Sequence, residues 1–383
     1  MMEISSPYRD PKISRLIVGE IAKIASELED HVKIMDFCGT HEWTITHYGI
    51  RSLMPQNVEL VAGPGCPVCI TPGYYVDIAV KFAMEGVRVF TFGDVYRLPG
   101  SSRGAPKNLE EARSEGADVK IVYSVTDAIK LSGDGKESVF LAVGFETTAP
   151  ATLGPIHRGV IPDNLSFIIV HRLTPPITKY VLENYPQSPI RGIIAPGHVS
   201  AITGASEWEF VAKDYGIPVV VSGFEPVDVL LSILEILRQI REGRAELVNE
   251  YSRVVRWEGN LRAKEVMKST CEVVDAGWRG IGFVPDSGLQ LKDAYKRYDA
   301  LLKYGIPELS EERWMEDLPP GCRCAEVTLG MAKPTDCPLF KKICTPERPY
   351  GPCMVSSEGT CLIWAKYGGD ELLRGLREEF SQP

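Results

Sequence analysis

The sequence predicts an α/β protein: two similar units with parallel sheets, followed by a cysteine-rich region that is mainly helical or irregular. Three observations carry this. Between residues 32 and 225, short and continuously apolar runs alternate with helical stretches, the pattern of parallel strands covered on both faces. The motifs that close these runs recur along the chain. Six of the ten cysteines crowd between 322 and 361, where Pro and Gly leave little room for regular structure.

The first element is a helix in "ISRLIVGEIAKIASEL", with Leu16, Ile17, Ile21, Ile24 and Leu28 at three- and four-residue intervals. The strand candidates follow: "VKIMDFCG", "VELVAGPG", "VRVFTFGD", "VKIVYS", "SVFLAVGFE", "LSFIIVHR", "RGIIAPGH" and "IPVVVSGFE". "VAGPGCP" at 61–67 matches "IIAPGHV" at 193–199, and "GVRVFTFGD" at 86–94 matches "GIPVVVSGFE" at 216–225. "VKIMDFCGTHE" and "VFLAVGFETT" form a looser third pair. The repeat implies two Rossmann-like units, 32–116 and 117–225. Residues 1–31 and 226–383 are then a helical and cysteine-rich remainder. In "VDVLLSILEILRQIREG", Val227, Leu230, Leu231, Leu234, Leu237 and Ile240 share one helix face and Gly243 is the stop. A further helical stretch is expected in "LKDAYKRYDALLKYG".

Ligands of open α/β sheets bind outside the carboxyl ends of the strands. Cys38 with His41, Cys66 with Cys69, and Asp94 stand at three such ends. Glu146, Thr147, Thr148, His198 and Glu225 stand at others, so facing units would place these groups along one cleft. "EEARSEG" reads as a solvated helix face.

A formal net charge of -9 argues against a grip on nucleic acid phosphates. No apolar run approaches a membrane span, and the first residues carry no basic-then-apolar leader. The expected location is the cytoplasm, where clustered cysteines point to metal or redox chemistry rather than structural disulfides. No Walker A loop or G-x-G-x-x-G is present. Cys271 stands alone and reads as a small buried hydrophobe.

Cys322, Cys324, Cys337, Cys344, Cys353 and Cys361 lie within forty residues. Their spacing lacks the paired C-x2–4-C knuckles of zinc ribbons, which favours an iron–sulfur cluster. A 4Fe–4S cluster takes four thiolates and would leave two thiols for a redox pair. Cys66 and Cys69 can cycle between dithiol and disulfide, join Cys38 and His41 around zinc, or flank a reactive Cys38. Glu146 is either a buried acid or a helix cap.

Together "DFCGTHE", "GPGCPVC", "GFETTAP", "APGHVSAITG", "CRCAEVTLG", "DCPLF" and "CMVSSEGTC" resemble the HypD family of nickel–iron hydrogenase maturation proteins, in order and over nearly the whole chain. The resemblance implies a scaffold for the Fe(CN)2CO unit, shared with a HypC-type chaperone and supplied with cyanide by a HypE-type protein and its HypF-type partner. It implies that Cys38 holds iron, that Cys66 and Cys69 are the adjacent redox pair, and that His41 and Glu146 line the cleft. Where family members can carry a second histidine, this chain has Glu42 or Trp43. The cysteine run is similar in logic to ferredoxin:thioredoxin reductase. By that comparison Cys322, Cys337, Cys344 and Cys361 hold a 4Fe–4S cluster, and Cys324 with Cys353 is a redox pair. A zinc-stapled binding module and a thiol–disulfide oxidoreductase stand as alternatives.

Overall fold

The computed structural model of the protein describes residues 7–102, 104–186, 189–314 and 317–368. Eleven strands are present among them: β1 (Val32–Asp36), β2 (Val58–Ala62), β3 (Arg88–Thr91), β4 (Val119–Ile121), β5 (Ser138–Gly144), β6 (Leu165–His171), β7 (Gly192–Pro196), β8 (Val219–Ser222), β9 (Leu247–Asn249), β10 (Cys271–Trp278) and β11 (Gly282–Leu291). They build two parallel sheets, in the orders β2-β1-β7-β8-β9 and β4-β3-β5-β6, and one antiparallel hairpin, β10-β11. Every residue of β5, β7 and β8 is buried, because helices cover both faces of parallel sheets.

The sheets are interleaved rather than sequential. The chain lays down β1 and β2, crosses to build all of the second sheet, and returns at β7 to complete the first. A boundary at 116 therefore separates β3 from β4 and β5, to which it is hydrogen-bonded, and β1 from its partner β7. The repeat matched motifs at strand ends but not sheet membership. Parallel neighbours are joined by crossovers, so which strands pair leaves no local signature in the chain.

The first sheet is backed by two helices. Pro11–Ser26 starts at Asp10, whose side chain accepts from the amides of Lys12 at 2.7 Å and Ile13 at 3.4 Å. Pro226–Arg241 ends before Gly243, which takes φ 66°. The two helices pack together and bury Ile17, Ile21, Ile24, Leu230, Ile233 and Leu237 with Ile34, Ile194 and Val220 of the sheet. Two side chains expected on these apolar faces lie outside: Leu16 is 73% exposed and Leu231 36%. The N-terminal helix thus belongs with the first sheet, not with the cysteine-rich region.

The hairpin β10-β11 replaces helix or coil expected after 226. The stretch expected to be helical around 291–305 forms a 3-10 segment, Asp293–Tyr298, and one short turn, Ala300–Lys303. Cys271 is buried in the apolar core of the second sheet, as a lone small hydrophobe. From 317 to 368 the described residues form no strand, only the short helices Cys324–Thr328 and Thr360–Tyr367 and 3-10 turns. This matches the expected mainly helical and irregular character; its expected continuation, 369–383, lies outside the described residues.

Ile233 is fully buried between helix and sheet. Ile233→Ala should lower the unfolding free energy by about 2–5 kcal/mol in urea titration. Leu16→Ala should change it by no more than about 0.5 kcal/mol.

Candidate functional site

The carboxyl ends of both sheets open onto one cleft of about 930 Å³. Cys38 follows β1, Pro67 follows β2, Asp94 follows β3, Thr148 follows β5 and His198 follows β7, and all five line it. Cys38, Asp94, Thr148 and His198 thus stand where the strand-end argument expected them even though sheet membership was misread, while Pro67 takes the place expected for Cys66 and Cys69. The cysteine-rich segment contributes the remaining wall, through Glu358 and its neighbours.

Cys38 caps the helix Gly39–His47 with an extended backbone, φ -147° and ψ 125°. It is 8% exposed. Two chain segments press close around it. A Cβ on Gly65 would come 2.5 Å from the Cys38 nitrogen, and one on Gly39 would meet the Glu358 backbone and Cβ. Only glycine permits these approaches. Burial pushes the Cys38 thiol up to about 12, and the Glu358 carboxyl adds to the effect, while the Thr40 and His41 amides oppose it. Glu358 is itself pushed up to about 7 by burial and then by the charge of Asp94. Ser356 Oγ donates to Asp94 Oδ2 at 3.0 Å, tying the cysteine-rich segment to the end of β3.

Cys66 and Cys69 form a disulfide with Cα atoms 5.4 Å apart. Both are buried, and the residues between them, Pro67 and Val68, form cleft wall. The disulfide thus lies behind the wall, one backbone contact from Cys38 through Gly65.

His41 and Glu146 do not line the cleft. His41 is fully buried, and its Nε2 donates to the carbonyls of Gly223 at 2.9 Å and Ser222 at 3.3 Å. Carbonyls only accept, so Nε2 carries the ring proton. Nδ1 has no partner among the described residues. Burial pulls the ring down to about 4. The ring stacks on Phe224 at 4.6 Å, and the other stacking partner of Phe224 is the cleft residue His198, at 3.8 Å. Glu146 turns inward beside Thr147 and Thr148. It accepts from the Thr174 amide at 2.7 Å and from Thr174 Oγ1 at 3.1 Å. It therefore caps the next helix, Thr174–Asn184, rather than its own. Burial pushes it up to about 7. Glu225 is likewise occupied elsewhere, paired with Arg9 and capping Pro226–Arg241.

Five of the six C-terminal cysteines, Cys322, Cys324, Cys337, Cys344 and Cys361, line a second, small cavity with room for about 10 Å³. Cys353 is absent from its lining and fully buried. The neighbouring thiols of Cys324 and Cys353 pull Cys361 down to about 6, whereas Cys324 and Cys361 push Cys353 up. Cys322 Sγ donates to Cys324 Sγ at 3.1 Å. A Cβ on Gly351 would come 2.6 Å from Cys322 Sγ, so the chain wraps the thiols closely. Among the described residues no three His, Cys, Asp or Glu side chains converge as ligands of a single metal ion. The donor set, six soft thiols in an apolar enclosure, suits an iron–sulfur cluster. In the present arrangement the thiols touch one another, so seating a cluster requires them to spread.

Cys66, Cys69 and the C-terminal cysteines are also joined: all except Cys322 belong to one contiguous apolar core, with Cys322 packed against it. Sequence reasoning missed Glu358, although a single acid between Cys353 and Cys361 was visible. It also missed the inward role of Glu42, considered below.

A thiol at a strand end opening on a shared cleft, a disulfide behind the wall and a buried cysteine cage define a cysteine-rich α/β protein. The chain belongs to the HypD family: residues 12–368 match its model, described as "Hydrogenase formation hypA family". It is 42% identical over 362 residues to a putative hydrogenase expression/formation protein of Methanocaldococcus jannaschii, covering 94% of this chain and 98% of the relative. It is 41% identical to a hydrogenase maturation factor of Bradyrhizobium diazoefficiens, covering 96% and 97%. It is 39% identical to the HypD maturation factor of Rhodobacter capsulatus, covering 96% and 99%. No helix among the described residues is long and apolar enough to cross a membrane.

Two outcomes follow from this electrostatics. Glu146 has a folded-state value raised from 4.5 to about 7, so the folded chain holds that proton more tightly. The associated stability is present below about pH 4.5 and is lost as pH rises through 7, by up to about 3 kcal/mol. Urea midpoints measured from pH 5 to 8 should fall more steeply for the natural chain than for Glu146→Gln. Glu358→Gln removes a negative charge beside Cys38. It should speed iodoacetamide labelling of Cys38 several-fold at pH 8, read by peptide mass spectrometry.

Proposed function

We propose that this chain is the scaffold on which the Fe(CN)2CO unit of nickel–iron hydrogenases is assembled, acting in the cytoplasm with a HypC-type chaperone. A HypE-type protein, supplied by its HypF-type partner, delivers cyanide. The observation that carries the reading is the convergence of three thiol sets. Cys38 opens on the cleft, the Cys66–Cys69 disulfide lies one glycine behind it, and the C-terminal cysteines share that disulfide's apolar core. Family membership supplies the reaction class.

In this reading iron is the cargo, held by Cys38 together with a thiol of the chaperone. The cleft of about 930 Å³ is where a chain segment from that partner would enter. Burial keeps Cys38 protonated until a cation arrives; binding releases the proton, and the carboxylate of Glu358, a cleft residue whose charge acts on Cys38, is a base able to take it. Reduction of the Cys66–Cys69 disulfide takes up two electrons and two protons and leaves two thiols beside Cys38. Cys322, Cys337, Cys344 and Cys361 would hold a 4Fe–4S cluster, which supplies single electrons at low potential when bound. Cys324 and Cys353, in contact with each other and with Cys361, are the adjoining redox pair. His41 and Glu146 act from behind the wall, fixing the strand ends rather than touching cargo.

Anaerobic purification should give brown protein with about four iron and four sulfide per chain. Colourless protein carrying zinc would overturn the reading and favour a zinc-stapled binding module. Cys38→Ala should abolish assembly of the iron unit, followed by the infrared bands of its cyanide and carbonyl ligands, and leave the cluster absorbance unchanged. Retained assembly would remove Cys38 from its role.

A further inference from the structure

Glu42 is 1% exposed and sits one helical turn after Cys38, in the helix that Cys38 caps. Its carboxylate accepts from three side chains. Trp364 Nε1 donates to Oε1 at 2.7 Å, Thr46 Oγ1 to the same oxygen at 2.9 Å, and Arg51 Nη2 to Oε2 at 2.8 Å. Arg51 is fixed in turn by Leu60 O at 3.2 Å, in the middle of β2, and its guanidinium lies 5.0 Å from the Trp364 ring centre.

Trp364 belongs to the helix Thr360–Tyr367, three residues after Cys361 and therefore on nearly the same face. One bond thus joins the helix led by Cys38 to the helix that carries a cysteine of the C-terminal cage. The same two helices meet at their amino ends, where Gly39 lies against Glu358. They meet again at the outer edge, where Tyr367 packs edge-on to His47 at 4.8 Å and Trp43 at 5.9 Å. Of these contacts only the Glu42 joint is buried and charge-assisted, the combination that makes a hydrogen bond strong and its loss costly.

We propose that Glu42 is a positioning residue, clamping the C-terminal cysteine helix against Cys38 and thereby setting both the access to Cys38 and its separation from the C-terminal thiols. The bearing of that separation on redox chemistry rests on the scaffold reading above; the clamp itself does not. With the clamp released, the helix Thr360–Tyr367 opens locally while its outer aromatic contact and the two sheets remain, so the chain stays folded. Glu358 then lifts from Gly39 and exposes the Cys38 thiol.

The test uses the full chain, purified anaerobically, and follows iodoacetamide labelling of each cysteine by peptide mass spectrometry. Cys271, buried in the separate core of the second sheet, reports general loosening. Glu42→Ala and Trp364→Phe should each label Cys38 about tenfold faster or more, the scale of losing a charge-assisted bond from a local closed state. Cys271 labelling should stay at the natural rate. Glu42→Gln keeps an acceptor for Trp364 and should remain within a few-fold of the natural chain. Unchanged Cys38 labelling in Glu42→Ala and Trp364→Phe, or equal acceleration of Cys38 and Cys271, would overturn the clamp. Iron and sulfide are measured on the same samples. A natural chain without them sinks the scaffold reading and leaves the labelling result to decide on Glu42.

Discussion

The site depends on a crowded backbone junction at Cys38. Three segments remote in sequence meet there: the turn after β1, the Gly63–Pro64–Gly65 turn after β2, and the Glu358–Gly359 entry to the last helix. A methyl group at Gly39 or Gly65 would collide with fixed backbone rather than with a side chain able to move aside. The junction exists because two positions lack a Cβ, and the placement of the disulfide and of Glu358 beside Cys38 follows from it.

That crowding also sets the electrostatics. With water excluded, the neutral forms prevail: a protonated thiol at Cys38, an uncharged ring at His41, and carboxyls at Glu146 and Glu358 that ionise only near neutrality. In each case burial is the largest cause, outweighing nearby hydrogen bonds that favour charge. A site held neutral in this way suits soft, covalent ligation, since an arriving cation supplies the positive charge that the protein withholds. Glu42 is buried as well, but an arginine and two other donors surround its side chain, and the group serves as a fastener.

The fold shows what each level of organisation could convey. Strand positions were legible because burial on both faces writes continuous apolar runs. The helices Pro11–Ser26 and Pro226–Arg241 were legible because one buried face writes a period near 3.6. The exchange of strands between sheets was not, and the contiguous units expected at 32–116 and 117–225 gave way to interleaved ones. The hairpin β10-β11 escaped because it breaks its own alternation at a bulge between Val274 and Ala276.

For the site, the sequence by itself determined the chemistry: which side chains are thiols, which stand at strand ends, and that six cysteines close together need an organiser other than a large apolar core. Residue type and spacing carry that information locally. Only the tertiary structure decided who meets whom. It turned His41 and Glu146 into the interior, brought Glu358 onto Cys38 from more than three hundred residues away, and made Glu42 the link between two cysteine-bearing helices. Those relations rest on long-range packing of helices and sheet edges, where contact is set by shape and burial rather than by any pattern along the chain.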